Sequence, residues 1–423
     1  MPTRVGVFQL KKRSAASQRI VLMLLFAATA INYLDRQTLS IIAPILHHQI
    51  GLTTIDYSRV VFIFLLGYMI SQSLAGKVID MIGTRLGLFL CVALWSAVSM
   101  LHGLVAGVIS LAGLRLLLGL AEAGNWPGGI KAVSENFPPG RRAFAVGVFN
   151  SGSTLGSIIA PPIVAAVAGM WSWRLMFVVI GLTGVVWVVA WHVLYRPPHV
   201  IPFQAASDAD FIPRRPFRQF FSERAVWGLM VGRFFADPIW WFYAFWLPEY
   251  LSQSRGFSLM EIGTTAWIPF LFAGIGGWVG GHASDVLVRH GKAPVTARKI
   301  VMVVSAVLMF AGIPAFEVHS SVWAIVWISV VLFGYTSWAS NILALPADLF
   351  PSEEVAQVTG IGGTTAAFGG MLFTLATGWL AQNVSYGSVF LVSTGMIICS
   401  AIVIVVIVPR YRHASLIPNS HQS

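Results

Sequence analysis

Charge is what this chain has least of. Asp, Glu, Lys and Arg make up 10% of its 423 residues, against about 25% in a soluble domain. So few ionic groups cannot cover a globular surface that faces water. Cysteine is nearly missing as well. Cys91 and Cys399 are the two present; both fall in apolar segments and form neither a CxxC pair nor a disulfide framework. No Walker loop is present, which excludes ATP as an energy source, and no nucleophile or metal-ligand constellation can be assembled from the ten scattered histidines. An enzyme, a resident metal and a cofactor are therefore not expected.

Hydrocarbon fills the chain instead. Apolar residues reach 57%, and the mean hydropathy is +0.77. A helix crossing ~30 Å of bilayer core needs about 20 such residues. Runs at 20–46, 59–79, 86–106, 109–134, 143–168 and 174–195 meet that need, as do runs at 224–250, 262–284, 299–316, 321–345, 356–381 and 386–409. These predict an all-α polytopic protein of twelve transmembrane helices embedded in lipid. The basic amino terminus resembles a signal peptide, but no A-x-A site closes its apolar stretch and Asp35–Arg36 interrupt it. The first span is expected to be retained.

The net charge of +11 could suggest nucleic acid, but its placement argues for orientation. Lys and Arg crowd the termini and even-numbered loops, Lys11, Lys12, Arg13, Arg141, Arg142, Arg214 and Arg215 among them. The opposite side holds Arg59, Arg174 and Arg255. By the positive-inside rule both termini are cytoplasmic, and no nucleic-acid partner is expected. A Pro-rich connector of mixed charge, 196–223, separates a six-span bundle at 1–195 from another at 224–423.

The halves repeat each other. "GKVIDMIGTR" at 76–85 is echoed by "GHASDVLVRH" at 281–290, and "SENFPPGRRAFAVG" at 134–147 by "PADLFPSEEVAQVTG" at 346–360. Asp80 and Asp285 are 205 apart, and Phe137 and Phe350 are 213 apart. Duplicated six-span halves are an arrangement found in transporters. With Gly76, Asp80, Gly83 and Arg85 in place, the chain resembles the major facilitator superfamily. The resemblance makes these residues and Asp285 gating groups, with His290 where the second copy's basic residue would follow. Asp80 would accept from amides at a helix N-terminus, and Arg85 would engage acidic partners.

Four stretches narrow the match: "NYLDRQTLS", "RLLLGLAEAGNWPGGIKAVSENFP", "FNSGSTLGSIIAPP" and "SWASNILALPADLFP". Together they resemble the anion:cation symporter branch, and within it bacterial hexuronate transporters, with galactonate-type symporters next to them. The resemblance implies a monomeric transporter of the bacterial inner membrane that carries an organic anion with protons or sodium.

Ionisable residues inside spans cost about 2.5–3.5 kcal/mol each on insertion scales, so each needs a partner, a watery surround or a task. Asp35, Arg36, Arg115, Glu122, Arg233 and Asp237 are the candidates. Neighbours on a helix diverge by ~100°, so Asp35 and Arg36 do not face one another. Arg36 offers a planar fork for a carboxylate, and Asp35 is placed to bind and release a proton. Arg115 and Glu122 stand two turns apart, too far for a direct pair. The resemblance gives Glu122 a proton-coupling role and makes Arg115 its electrostatic regulator. Arg233 and Asp237, at i,i+4, can neutralise each other. In the run "WWFYAFW" that follows, Trp241 and Tyr243 are offered as aromatics facing a cavity.

For a hydroxylated ligand the resemblance supplies Tyr33, Tyr68, Trp338 and Asn341, and less directly Thr364. Ser153 stands where galactonate-type relatives carry glutamine, which leaves room for a cyclic uronate. The expected function is proton symport of a sugar-acid anion, foremost a hexuronate. The alternatives are another organic anion, such as a galactonate- or glucarate-type acid, a dicarboxylate or an aromatic acid, or a non-transporting sugar-acid sensor.

Overall fold

The computed structural model describes residues 9–10, 14–196, 200–201 and 217–409. Apart from Arg19, the basic residues of both termini and most of the 196–223 connector lie outside the described residues.

Helix α1 runs Ala15–Ile50. Ser14 caps its start by accepting from the Ser17 amide, and Gly51 ends it at φ +66°, where a side chain would be strained. Helix α2 spans Thr54–Ile82 and turns at Gly83, φ +86°, directly into α3, Thr84–Leu101, which closes in a 3-10 turn at His102–Leu104. The fourth span is two pieces, α4 Val108–Glu122 and α5 Asn125–Asn136, with the break just after Glu122. Helices α6, Pro139–Met170, and α7, Trp173–Leu194, complete the first half. Beyond a 3-10 turn at Phe217–Ser222 come α8 Arg224–Arg255, α9 Leu259–Thr265 and α10 Trp267–Arg289. Then follow α11 Pro294–Met309, α12 Gly312–Glu317, α13 Ser321–Leu349, α14 Ser352–Asn383 and α15 Tyr386–Ile407. The described strands are a two-residue antiparallel pair, β1 Gln9–Leu10 with β2 Val200–Ile201.

Counting α4/α5, α9/α10 and α11/α12 as single crossings gives the twelve elements expected. Eleven are long and apolar enough to span a membrane among the described residues. The twelfth, α8, has the length, but Arg233, Asp237 and Glu249 lie within it.

Two compact units emerge: Met1–Arg214 with Leu251–Trp267, and Arg215–Tyr250 with Ile268–Ser423. In the first, glycines let helices touch backbone to backbone. A Cβ on Gly119 of α4 would lie 2.2 Å from the Phe64 carbonyl oxygen of α2, and one on Gly67 of α2 would lie 2.7 Å from the Leu116 oxygen of α4. Gly152 and Gly156 of α6 press equally closely on the carbonyls of Phe26 and Ala30 in α1. Small residues of this kind allow close packing where lipid gives no hydrophobic drive between helices. In the same unit Arg36 of α1 comes within bonding distance of Glu122 of α4.

Gly119→Val is therefore expected to lower thermal stability in detergent by about 1–3 kcal/mol or more, the cost of overpacking a filled contact. Gly113→Val, whose Cβ would meet nothing within 4 Å, serves as the control. Equal melting of the two variants would contradict the close-contact account.

Candidate functional site

The interior of the first unit holds two carboxylates and two guanidiniums that are almost wholly buried: Asp35, Glu122, Arg36 and Arg115, none more than 3% exposed. Arg36 turns from α1 toward α4 and donates from Nε to Glu122 Oε2 at 2.7 Å. Its guanidinium lies 4.4 Å from the ring centre of Tyr68, 5.3 Å from Tyr33 and 5.4 Å from Phe64. The cation is thus held by one carboxylate and three aromatic faces, a favourable desolvated arrangement.

Asp35 points elsewhere. Among the described residues neither of its oxygens accepts a hydrogen bond. Ser99 of α3 lies beside it, and Glu122, Arg115 and Arg36 act on it electrostatically. Arg115 rests 5.6 Å from the centre of the Phe177 ring. Its Nε and Nη2 are without hydrogen-bond partners among the described residues, while Asp35, Glu122 and Tyr57 share its field. The four groups hold two cations and, with both carboxylates ionised, two anions.

This arrangement gathers Tyr33, Tyr68, Asp35, Arg36, Arg115 and Glu122 in one unit. Arg115 and Glu122 form no direct bond, as their two-turn separation requires. Ser153 is buried on α6 and donates to the Asn150 carbonyl at 2.6 Å, so its hydroxyl is engaged within its own helix.

The remaining ligand candidates belong to the second unit. Trp338 is fully buried on α13, and its indole N–H is unpaired among the described residues. Asn341 donates to the carbonyls of Gly280 and Ser337 at 3.1 and 2.9 Å, which leaves its Oδ1 unpaired. Thr364 is exposed on α14 and bonds the Gly360 carbonyl. Arg233 and Asp237 form the ion pair that their spacing allows, at 2.8 Å. Tyr335, which the sequence reading missed, donates to Asp237 at 3.4 Å and stacks on Trp240 with ring centres 5.8 Å apart. Its position one turn before Trp338 on α13 was the available signal. Tyr243 is a core residue among Phe242 and Phe390, and Trp241 stacks on Phe245.

The repeated motif makes different bonds from those expected. Asp80 pairs with Lys131 Nζ at 2.8 Å rather than with helix amides. Lys131 also donates to the Ile79 carbonyl. Arg85 donates to the His192 carbonyl at 2.8 Å instead of to an acid, and its own carbonyl accepts from Trp191. Gly83 makes the corner into α3, and a Cβ on Gly76 would meet only Pro127 at an ordinary 3.5 Å. In the second copy the cation is Arg298, not His290. Arg298 bonds Asp285 at 3.0 Å and Asp348 at 3.3 Å, while His290 bonds the Val286 carbonyl. The counting explains it: 298 − 85 and 350 − 137 are both 213, whereas 285 − 80 is 205. By the 213 offset Arg298 stands where Arg85 does, eight residues further from Asp285 than Arg85 is from Asp80.

A model of the Major Facilitator Superfamily matches residues 25–297 and again 295–423. The chain belongs to the Major Facilitator Superfamily. It is a multi-pass membrane protein of that family. The hexuronate transporter of Escherichia coli strain K12 is 31% identical over 399 residues, covering 91% of this chain and 92% of its own. A probable L-galactonate transporter of the same strain is 33% identical over 309 residues, covering 70% and 68%. The crystal structure of a bacterial homologue of the human lysosomal transporter Spinster, inward-facing and unoccupied, superposes with a TM-score of 0.70 at 18% identity, covering 94% and 96%. That likeness is one of fold, and it matches the twelve-element major facilitator arrangement.

Proposed function

We propose that this chain is a proton-coupled symporter that imports a sugar-acid anion, foremost a hexuronate such as galacturonate or glucuronate, by alternating access. It works as a monomer in the bacterial inner membrane, with both termini cytoplasmic. The transport activities named for its relatives support the substrate class. The observation that carries the coupling is the Arg36–Glu122 contact inside a cluster of two cations and two carboxylates.

Charge balance gives the mechanism. With both carboxylates ionised the cluster is neutral, and a substrate carboxylate arriving alone would leave a net negative charge in a poorly solvated interior. Uncompensated buried charge is strongly disfavoured. A proton on Glu122 releases the Arg36 fork and restores neutrality once the anion binds. Each ligand therefore raises the affinity for the other, and by the same factor. Asp35 is the second proton holder, and Arg115 sets the field felt by both. Tyr33 and Tyr68 flank the bound carboxylate. Ser153, Trp338, Asn341 and Thr364 are the proposed partners of the sugar's hydroxyls and C–H face. Asp80, Arg85, Gly76, Gly83 and Asp285 are proposed to govern the conformational change.

Uptake into proteoliposomes tests this reading, with labelled glucuronate, galacturonate and galactonate and with pH and voltage gradients imposed separately. The expected result is pH-driven accumulation of the two hexuronates. The 33% identity to a probable L-galactonate transporter supports a second reading, an aldonate carrier on the same machinery. Exclusive transport of galactonate would establish that one, and sodium dependence at fixed pH would remove proton coupling.

A further inference from the structure

His102 takes no part in the mechanism above, yet it is wholly buried beside the charged cluster. It opens the 3-10 turn that ends α3, and two residues later Leu104 is 78% exposed. In the proposed orientation this is the outer end of the span. Its Nδ1 bonds the Val98 carbonyl at 2.8 Å. A carbonyl only accepts, so in the neutral ring the hydrogen sits on Nδ1 and Nε2 presents a lone pair. That lone pair is unpaired among the described residues.

Phe177 of α7 joins His102 to the cluster. Its ring lies 4.9 Å from the His102 ring and 5.6 Å from the Arg115 guanidinium. Its carbonyl accepts from Ser99 at 3.5 Å. Ser99 stands one turn before His102 and next to Asp35. Among the described residues the unsatisfied atoms of His102 and the cluster are Asp35 Oδ1 and Oδ2, Arg115 Nε and Nη2, Glu122 Oε1 and His102 Nε2. Arg115 needs acceptors, and His102 and ionised Asp35 need donors. A substrate carboxylate would serve Arg115 but repel Asp35 and leave His102 unpaired. Water both donates and accepts, and buried waters settle where two to four polar partners converge.

We infer that Asp35, Arg115 and His102 hold a buried water relay through which Asp35 exchanges its proton with the outside. His102 is a positioning residue there. It stays neutral and, through Nε2, accepts from the outermost water, which passes a proton inward to an Asp35 carboxylate oxygen and regains one from the exterior. Of the charged or titratable groups, Arg115 on α4 acts on His102 directly, while Asp35 on α1, Glu122 on α4 and Tyr57 on α2 act on Arg115; on α7, Arg174 Nη2 donates to the Val105 carbonyl. The inference rests on the symport reading.

The test compares His102→Phe, which removes the lone pair and fills the space, with His102→Asn, which keeps an acceptor. Proton entry driven by substrate is read with a pH dye trapped in proteoliposomes, and exchange of labelled for unlabelled substrate is read alongside. His102→Phe should slow coupled proton entry by about tenfold or more, given what a positioned proton-transfer group contributes. Exchange, which moves no net proton, should stay near the wild-type rate, and His102→Asn should keep both. His102→Leu replaces the Phe variant if the latter does not purify. Wild-type coupled entry in the apolar variant overturns the relay, as does loss of exchange by the same factor, which marks a merely structural residue. If the unmodified chain moves substrate without protons, the symport reading fails first, and the relay falls with it.

Discussion

Arg36→Ala abolishes sugar-acid accumulation and weakens substrate binding by at least about 100-fold. A charge-assisted hydrogen bond contributes about 1.5–3 kcal/mol, and each 1.4 kcal/mol is tenfold in affinity. Losing the fork that grips the carboxylate therefore suffices for this effect. The variant also leaves Glu122 buried without its cation, a loss of about 3–5 kcal/mol when one partner of a buried pair is removed. The double variant Arg36→Ala/Glu122→Gln should accordingly melt above Arg36→Ala alone, although neither binds substrate. Arg36→Lys keeps the charge but lacks the planar fork and should restore little binding. The measurement is titration of purified protein with the hexuronate. Wild-type affinity in Arg36→Ala would reassign the carboxylate to another buried arginine.

Glu122→Gln separates two activities. Glutamine matches a protonated glutamate in shape and neutrality, so it leaves the Arg36 fork released. The variant is thus fixed in the loaded protonation state. Exchange of substrate across the membrane should continue within a few-fold of wild type, while concentration against a gradient is lost. A proton that can neither arrive nor leave cannot transmit the driving force. Gradient-driven accumulation at the normal level in Glu122→Gln would remove Glu122 from the coupling role.

Much of the architecture was legible because apolar run length is a one-dimensional signal. Even α8, with its internal charges, stood out by length and by its i,i+4 pair. The divergence of Asp35 from Arg36 also followed from helix geometry alone. The Arg36–Glu122 partnership did not, because 86 positions separate the two and they stand on α1 and α4, which are not consecutive spans. The breaks after Glu122 and at Ala266 fall inside runs read as single spans, although Gly124, Asn125 and Pro127 follow the first and Pro269 follows the second. Arg298 was missed for a simpler reason. Fixed spacing fails across an insertion, and the repeat could be aligned only once the partners of Asp285 and Asp348 were seen.

That arginine also makes the two halves differ in fault tolerance. In the first copy Lys131 neutralises Asp80 while Arg85 grips a backbone carbonyl, so the two tasks are spread over two cations. In the second copy Arg298 is, among the described residues, the one cation that answers to both Asp285 and Asp348. One substitution there strands two acids at once, whereas loss of Lys131 in the first copy strands Asp80 alone.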